Sequence, residues 1–378
     1  MGSQVAELFY EVDRLRAELL NTVEVTTDCH CVEAAVSHRE ILTRIENVIL
    51  GIVTSLSRDE APVLALPNRS SWANVSFDTG VGLQMTSGSS VTAIRSDCPS
   101  SVTKFAQIIK ILSVIYRLVQ SNSYATKRDI YYNSTQLFGS QTAVDNIVDD
   151  ISCMLKIPRR SLHVVSVHIH VNVRVIVSTY KAVAVSSNIG GIRNIVSSAK
   201  FVLIVEKDAT FQRLLDDNFC AKLSPCIIMT GKGVPDVNSR LMVRKLWDIL
   251  RIPIFALVDA DPHGIEIMCI YKYGSVAMSF EAHSLTVSSV MWLGLLPSDI
   301  QRLQVPRDAL IPLTKRDESK LNSLLKRPYL TTQPHWQKEM ELMQQTKVKA
   351  ELQSLAAIAP DFLTSIYLPN KLRYGGWV

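Results

Sequence analysis

Two groups of residues in this 378-residue chain have types and spacings that suit phosphoryl chemistry. The first is the segment Thr126-Lys-Arg-Asp-Ile-Tyr-Tyr132, where two adjacent tyrosines follow Lys127, Arg128 and Asp129. A phenol with an ordinary pKa of about 10 is a weak nucleophile. A neighbouring cation such as Arg128 can stabilise both the phenolate and the charge of a phosphoryl transition state. If the segment is helical, adjacent side chains point about 100° apart, so one tyrosine at most faces a given phosphate. Arg128 shares a helix face with either one, at i+3 to Tyr131 and i+4 to Tyr132. Spacing therefore leaves both open, with the other packing in the core.

The second group is Glu206, Asp259 and Asp261. Glu206 directly follows the apolar run Phe201 to Val205, and the Asp-Ala-Asp triplet directly follows Ile254 to Val258. Ligands of open α/β sheets bind outside the carboxyl ends of the strands, so the three would meet at one edge. On an extended backbone residues i and i+2 point the same way, which lets Asp259 and Asp261 share a site. Hard oxygen donors with no His or Cys suit Mg²⁺ or Mn²⁺, not zinc. Each carboxylate taken singly could instead cap the helix that follows it.

Smaller signals surround these two. Thr230-Gly231-Lys232-Gly233 follows another apolar run, where glycines let backbone N–H groups approach an anion and Lys232 adds charge. The Gly-x4-Gly-Lys-Ser/Thr spacing of a P-loop is absent, and a plain turn is the commoner meaning. His263 and Gly264 follow the triplet, and His263 could touch phosphate or cap a helix. His168 and His170 share one side of a strand pattern and read as a solvated face. Cys29, His30 and Cys31, with His38 nearby, lack the second Cys pair that zinc spacing requires.

The elements that must position these residues follow from hydrophobic periodicity. A helix from Arg39 carries Ile41, Ile45, Val48, Ile49, Ile52 and Leu56 on one face. Strand-like pieces at 83–85 and 91–94 come next. Two further helices, from near Ser101 to Gln120 and from about Thr142 to Leu155, flank the tyrosine segment. Three helices with a tight middle connection, followed by strands, outline a winged helix-turn-helix. From Val165 to Val177 every odd position is Val or Ile, which predicts a half-buried strand or hairpin. From Phe201 the order becomes strand, helix Ala209 to Phe219, strand Cys226 to Met229, helix Ser239 to Leu250, strand Ile254 to Val258. This predicts a parallel sheet whose strands, buried on both faces, lack alternation. A charged helical stretch, Lys315 to Leu355, breaks between Pro328 and Pro334. The expected division is a leader over 1–38, a winged-helix domain over 39–185 and a parallel-sheet domain with a helical extension over 186–378.

Composition bounds the function class. Hydrophobic residues make up 47% and charged residues 20%, which excludes a disordered tail, a collagen-like fibre and a long coiled coil. No run approaches the roughly 18 apolar residues that cross a bilayer, and the N-terminus lacks a signal-peptide pattern, so the cytosol or nucleus is expected. Seven cysteines do not make a disulfide framework, and the sequons at Asn68, Asn74 and Asn133 read as chance. The net charge is +5, and residues 101–180 carry nine Lys/Arg against four Asp, an excess of +5. That places a phosphate-binding footprint on the proposed winged helix, including Lys127, Arg159 and Arg160.

These motifs make the chain resemble the type IIB topoisomerase A-subunit family, which comprises eukaryotic meiotic double-strand-break transesterases together with the topoisomerase VI A subunit. The resemblance runs from about Glu40 to Val378. It rests on Thr126-Lys-Arg-Asp-Ile-Tyr-Tyr132, Val205-Glu-Lys-Asp208, Thr230-Gly-Lys-Gly-Val-Pro-Asp236, Val258-Asp-Ala-Asp-Pro-His-Gly264 and Tyr367-Leu-Pro-Asn-Lys-Leu372. It implies a winged-helix domain of the CAP type followed by a Toprim domain. It implies Tyr132, the second of the pair, as nucleophile, with Arg128 as its arginine and Glu206, Asp259 and Asp261 as ligands of Mg²⁺. Lys127, Arg159, Arg160, Lys232 and His263 are the expected DNA contacts. The implied reaction is meiotic double-strand cleavage through a 5′-phosphotyrosyl intermediate. The implied setting is the nucleus, in a homodimer whose active sites combine one protomer's tyrosine with its partner's metal. The implied partners are double-stranded DNA, meiotic accessory proteins and an ATP-binding topoisomerase VI B-like subunit, with no membrane. The valine-rich alternation from Ser166 to Ala184 departs from the family, which has a longer glycine-containing stretch there. Two other readings use the same residues. A Toprim nuclease or primase would use the carboxylates without Tyr132 and would leave no denaturation-resistant protein–DNA adduct. A non-catalytic DNA-binding subunit would be indifferent to Tyr132→Phe.

Overall fold

A computed structural model describes residues 9–22, 36–165, 174–178, 181–184, 189–219 and 225–378. Cys29, His30, Cys31, His168 and His170 lie outside the described residues. The elements named here are α1 (Tyr10–Thr22), α2 (His38–Ser57), β1 (Val63–Pro67), β2 (Val75–Asp78), β3 (Gly82–Met85), β4 (Val91–Arg95), α3 (Val102–Gln120), β5 (Ala125–Thr126), α4 (Lys127–Tyr132), α5 (Gln141–Leu155), β6 (Val164–Val165), β7 (Arg174–Ser178) and β8 (Lys181–Ala184). The second half supplies β9 (Phe201–Val205), α6 (Asp208–Asp216), β10 (Cys226–Thr230), α7 (Val237–Leu250), β11 (Ile254–Leu257), α8 (Pro262–Tyr273), β12 (Val290–Gly294), α9 (Lys315–Leu325), α10 (Pro334–Thr346) and α11 (Leu368–Tyr374).

The first half builds its own core from Ile41, Ile45, Ile108, Leu112, Ile115, Ile130, Val144, Ile147 and Ile151. These are the stripes the 3.6-residue period predicts for α2, α3 and α5. The short β5 pairs with β6, which leads the chain into α4 between the two longer helices. The stripe on α2 is only half used. Ile41 and Ile45 are buried, whereas Ile49 and Leu56 are exposed.

The second half is a mixed α/β unit. One sheet runs β12-β11-β9-β10-β7-β8, with β12, β11, β9 and β10 mutually parallel. The β7–β8 hairpin joins antiparallel to β10. All five residues of β9 are fully buried, as a central strand covered on both faces requires. Each such side chain contributes roughly 1.5–3 kcal/mol of burial.

Two sequence-distant pieces complete this second core. The expected leader contains α1; Val12 and the preceding Phe9 are buried in the second core, and Asp13 pairs with Lys200 at 2.9 Å. The β2–β3 hairpin lies between α2 and α3 of the first core, yet Leu83 belongs to the second core and Phe77 stacks edge-on against Tyr273. Gly82, at φ +93°, lies against the Tyr273 backbone, where a Cβ would clash with the carbonyl oxygen. Among the described residues no helix is long and apolar enough to cross a membrane.

Candidate active site

The tyrosine pair sits on α4, a six-residue helix too short to stand on propensity alone. A capping box supports it. Thr126 Oγ1 accepts from the Asp129 N–H at 3.0 Å, and Asp129 Oδ2 accepts from the Thr126 N–H at 2.9 Å. Buried Ile130 anchors the helix to the first core. The two tyrosines then divide. Tyr131 is half-buried against that core, whereas Tyr132 is 69% exposed at the helix end. Arg128, one turn before Tyr132, is also exposed.

The expected DNA-contacting cations are largely engaged inside the molecule. Lys127 is only 6% exposed and pairs with Asp145 of α5 at 3.1 Å. Burial lowers its pKa, with Arg159 adding to the effect. Its charge is thus turned toward α5, away from the exposed position of Arg128. Arg159 pairs with Asp149 at 3.2 Å, and Arg160 meets Glu281 at 3.6 Å. Lys232 lies 3.4 Å from Asp208, and His263 lies 3.7 Å from Asp317.

The carboxylates gather where the parallel strands end. Register sets Leu257 of β11 beside Val205 of β9, so Glu206 and, one residue further along its strand, Asp259 emerge at the same sheet edge. Glu206 Oε2 accepts from the Asp259 backbone N–H at 2.8 Å. Burial, followed by the Asp259 charge, pushes the Glu206 carboxyl up to about 7. The Asp259 carboxyl is 1% exposed and is likewise raised, first by burial. Asp259 Oδ1 accepts from the Leu352 N–H at 2.9 Å. Oδ2 lies 2.7 Å from the Lys207 ammonium. Asp261 is the N-cap of α8, accepting from the Gly264 N–H at 2.6 Å. Gly264 has no room for a side chain, since a Cβ would lie 2.7 Å from Glu206 Oε2 and 2.8 Å from the Asp259 carbonyl.

The Thr230–Gly233 turn supports the same place from β10. Its Gly233 N–H donates to the Glu206 carbonyl at 2.8 Å, and Lys232 adopts φ +55°. Glu206, Asp259 and Asp261 offer only hard oxygen donors, the type that suits a divalent cation, and a cation there would offset the burial and the mutual charge that raise Glu206. Among the described residues no three such side chains are drawn into a metal cage. Glu206 and Asp259 are brought together, while Asp261 is turned to its helix and Asp259 to Lys207.

Three participants have no role legible in the sequence. Lys207 stands inside a motif of the family but its residue type and spacing assign it nothing, and Glu351 and Leu352 carry no local signal. The closing motif from Tyr367 proves to be a packing device. Tyr367 Oη donates to the buried Asp299 at 2.6 Å, and Lys371 pairs with Asp299 at 2.9 Å.

Comparison with known proteins bears on this geometry. Residues 201–372 match a family model described as the Toprim domain of the topoisomerase 6 A subunit/Spo11. Residues 103–164 match one described as type IIB DNA topoisomerase. The chain is 63% identical over 354 residues to the human meiotic recombination protein SPO11, covering 90% of this chain and 89% of that one. It is 57% identical to the mouse protein of the same name, covering 100% and 99%. It is 35% identical to the DNA topoisomerase 6 A subunit of Arabidopsis thaliana, covering 89% and 81%.

Proposed function

The chain belongs to the topoisomerase VI A subunit/Spo11 family, and we propose from that membership that it is a DNA transesterase making the double-strand breaks that start meiotic recombination. The observation that carries this reading is the contrast within α4: Tyr132 stands exposed with Arg128 one turn behind it, while Tyr131 packs inward. Tyr132 Oη attacks a backbone phosphorus as the phenol proton leaves. A P–Oη bond forms, the P–O3′ bond breaks, the 3′ oxygen takes up a proton, and the 5′ phosphate stays on the protein. Arg128 offsets the charge that builds on the phosphate oxygens. A bound Mg²⁺, held by Glu206, Asp259 and Asp261, would supply Lewis-acid stabilisation of the phosphate.

We assign residues 39–185 to a winged-helix DNA-binding domain and 186–378 to the Toprim domain, with α1 and the β2–β3 hairpin contributing to the second core. The two matched family segments fall one in each assigned domain, which supports the division. The nucleophile and the carboxylates then belong to different cores, which favours a homodimer with active sites shared between protomers. The working assembly includes double-stranded DNA, a B-like subunit that gates with ATP, and meiotic accessory proteins in the nucleus. The test is DNA cleavage in the presence of Mg²⁺ by the complex with its B-like subunit. Tyr132→Phe should lower cleavage by at least about a thousandfold, while Tyr131→Phe should retain most of it. Cleavage by Tyr132→Phe at the parent level would remove the tyrosine chemistry.

A further inference from the structure

The Lys207 ammonium sits against one oxygen of the Asp259 carboxylate. It lies 2.7 Å from Asp259 Oδ2 and 3.0 Å from Glu351 Oε1. The three side chains differ sharply in exposure: 1% for Asp259, 33% for Lys207 and 49% for Glu351. The lysine thus bridges a buried carboxylate and a surface one. The bridge is built by the backbone. Ala260 and Ala350 exchange N–H···O bonds of 2.9 and 3.2 Å, which sets residues 350–352 alongside the end of β11. The Leu352 N–H then fixes the other oxygen of Asp259.

We propose that Lys207 is a tethered counter-cation of the carboxylate site, which a divalent ion must displace, and that Glu351 is the acceptor that receives the displaced ammonium. This rests on the reading that Asp259 binds metal. A buried carboxylate without a counter-charge is costly, so in the absence of metal the ammonium stabilises Asp259. A divalent ion and an ammonium on the same carboxylate oxygen repel each other, so the two compete. The flexible four-carbon stem of lysine lets the head turn outward. Glu351 keeps the displaced charge paired, lowering the cost of the exchange. Lys207 is on this account a positioning residue: it sets how readily the site loads without itself touching the reacting atoms.

The experiment titrates Mn²⁺ alone into the full-length protein by calorimetry, with thermal unfolding in parallel. The parent and Asp259→Asn are titrated first; equal Mn²⁺ binding by both would overturn the metal reading and this inference with it. Given binding through Asp259, Lys207→Met should bind Mn²⁺ on the order of tenfold more tightly, the scale of one close opposite charge removed from the carboxylate. It should also melt earlier without Mn²⁺ and gain more in melting temperature from it. Lys207→Gln should give the same ordering and guards against a folding defect peculiar to methionine. Glu351→Gln alone should weaken binding several-fold, and combining it with Lys207→Met should restore the tightness of Lys207→Met. Unchanged or weaker binding in both Lys207 variants would overturn the competition while leaving the metal site standing. A double variant far weaker than Lys207→Met would make Glu351 a direct ligand and overturn its role as acceptor.

Discussion

Lys127 and Arg128 are neighbours in sequence with opposite environments. The Lys127 ammonium is buried beside Asp145, while Arg128, one helical turn before Tyr132, is exposed. Their charges therefore do different things. Arg128→Ala should flatten the log–log salt dependence of duplex binding by about 0.9. Lys127→Ala should leave that slope alone and cost about 1 kcal/mol of stability through loss of its pair with the partly exposed Asp145. Binding titrations at several salt concentrations, with denaturant unfolding alongside, check both; a slope that follows Lys127 would contradict the assignment. The sequence alone carried the tyrosine pair and its arginine, because residue type and helical spacing are local. It could not separate the two cations, because the carboxylate that claims Lys127 comes from α5. Nor could spacing choose between Tyr131 and Tyr132; the core that takes up Tyr131 is a tertiary fact.

At the scale of elements, the parallel strands were plain in the sequence, since a strand buried on both faces reads as an unbroken apolar run bounded by charge. The carboxyl-end placement of Glu206 and Asp259 followed from the same pattern. The segment from Ala350 to Leu352 was not readable, because its place beside β11 depends on a single backbone bridge and not on periodicity. The β2–β3 hairpin was likewise visible as strands, but its allegiance to the second core was not. Gly264 ties element to site, because α8 begins in contact with Glu206 and Asp259. Gly264→Ala should cost about 1–3 kcal/mol through overpacking and should weaken Mn²⁺ binding by displacing Glu206. Thermal unfolding and Mn²⁺ titration of that variant measure both effects, and parent-like values in each would mean the contact is not as tight as the geometry requires.

The described residues form two cores whose junction is held by specific polar contacts. Arg160 meets the buried Glu281 at 3.6 Å, and Arg69 reaches both Asp150 at 2.8 Å and the Ala277 carbonyl at 3.3 Å. Exposed Tyr132 sits on a helix anchored to the first core and the carboxylates at strand ends of the second, so a site shared across a dimer has a direct consequence. Mixing Tyr132→Phe protein with Glu206→Gln protein should yield heterodimers with one working centre, which nick a single strand; an inert mixture would argue for sites complete within one protomer. Which residue carries the DNA is read most directly by trapping the cleavage complex with 5′-proximal labelled DNA, digesting the protein and sequencing the labelled peptide by mass spectrometry. The label should sit on Tyr132, in a 5′-phosphotyrosyl linkage that leaves a free 3′ hydroxyl. A label on Tyr131, or cleavage products with no peptide attached, would contradict it.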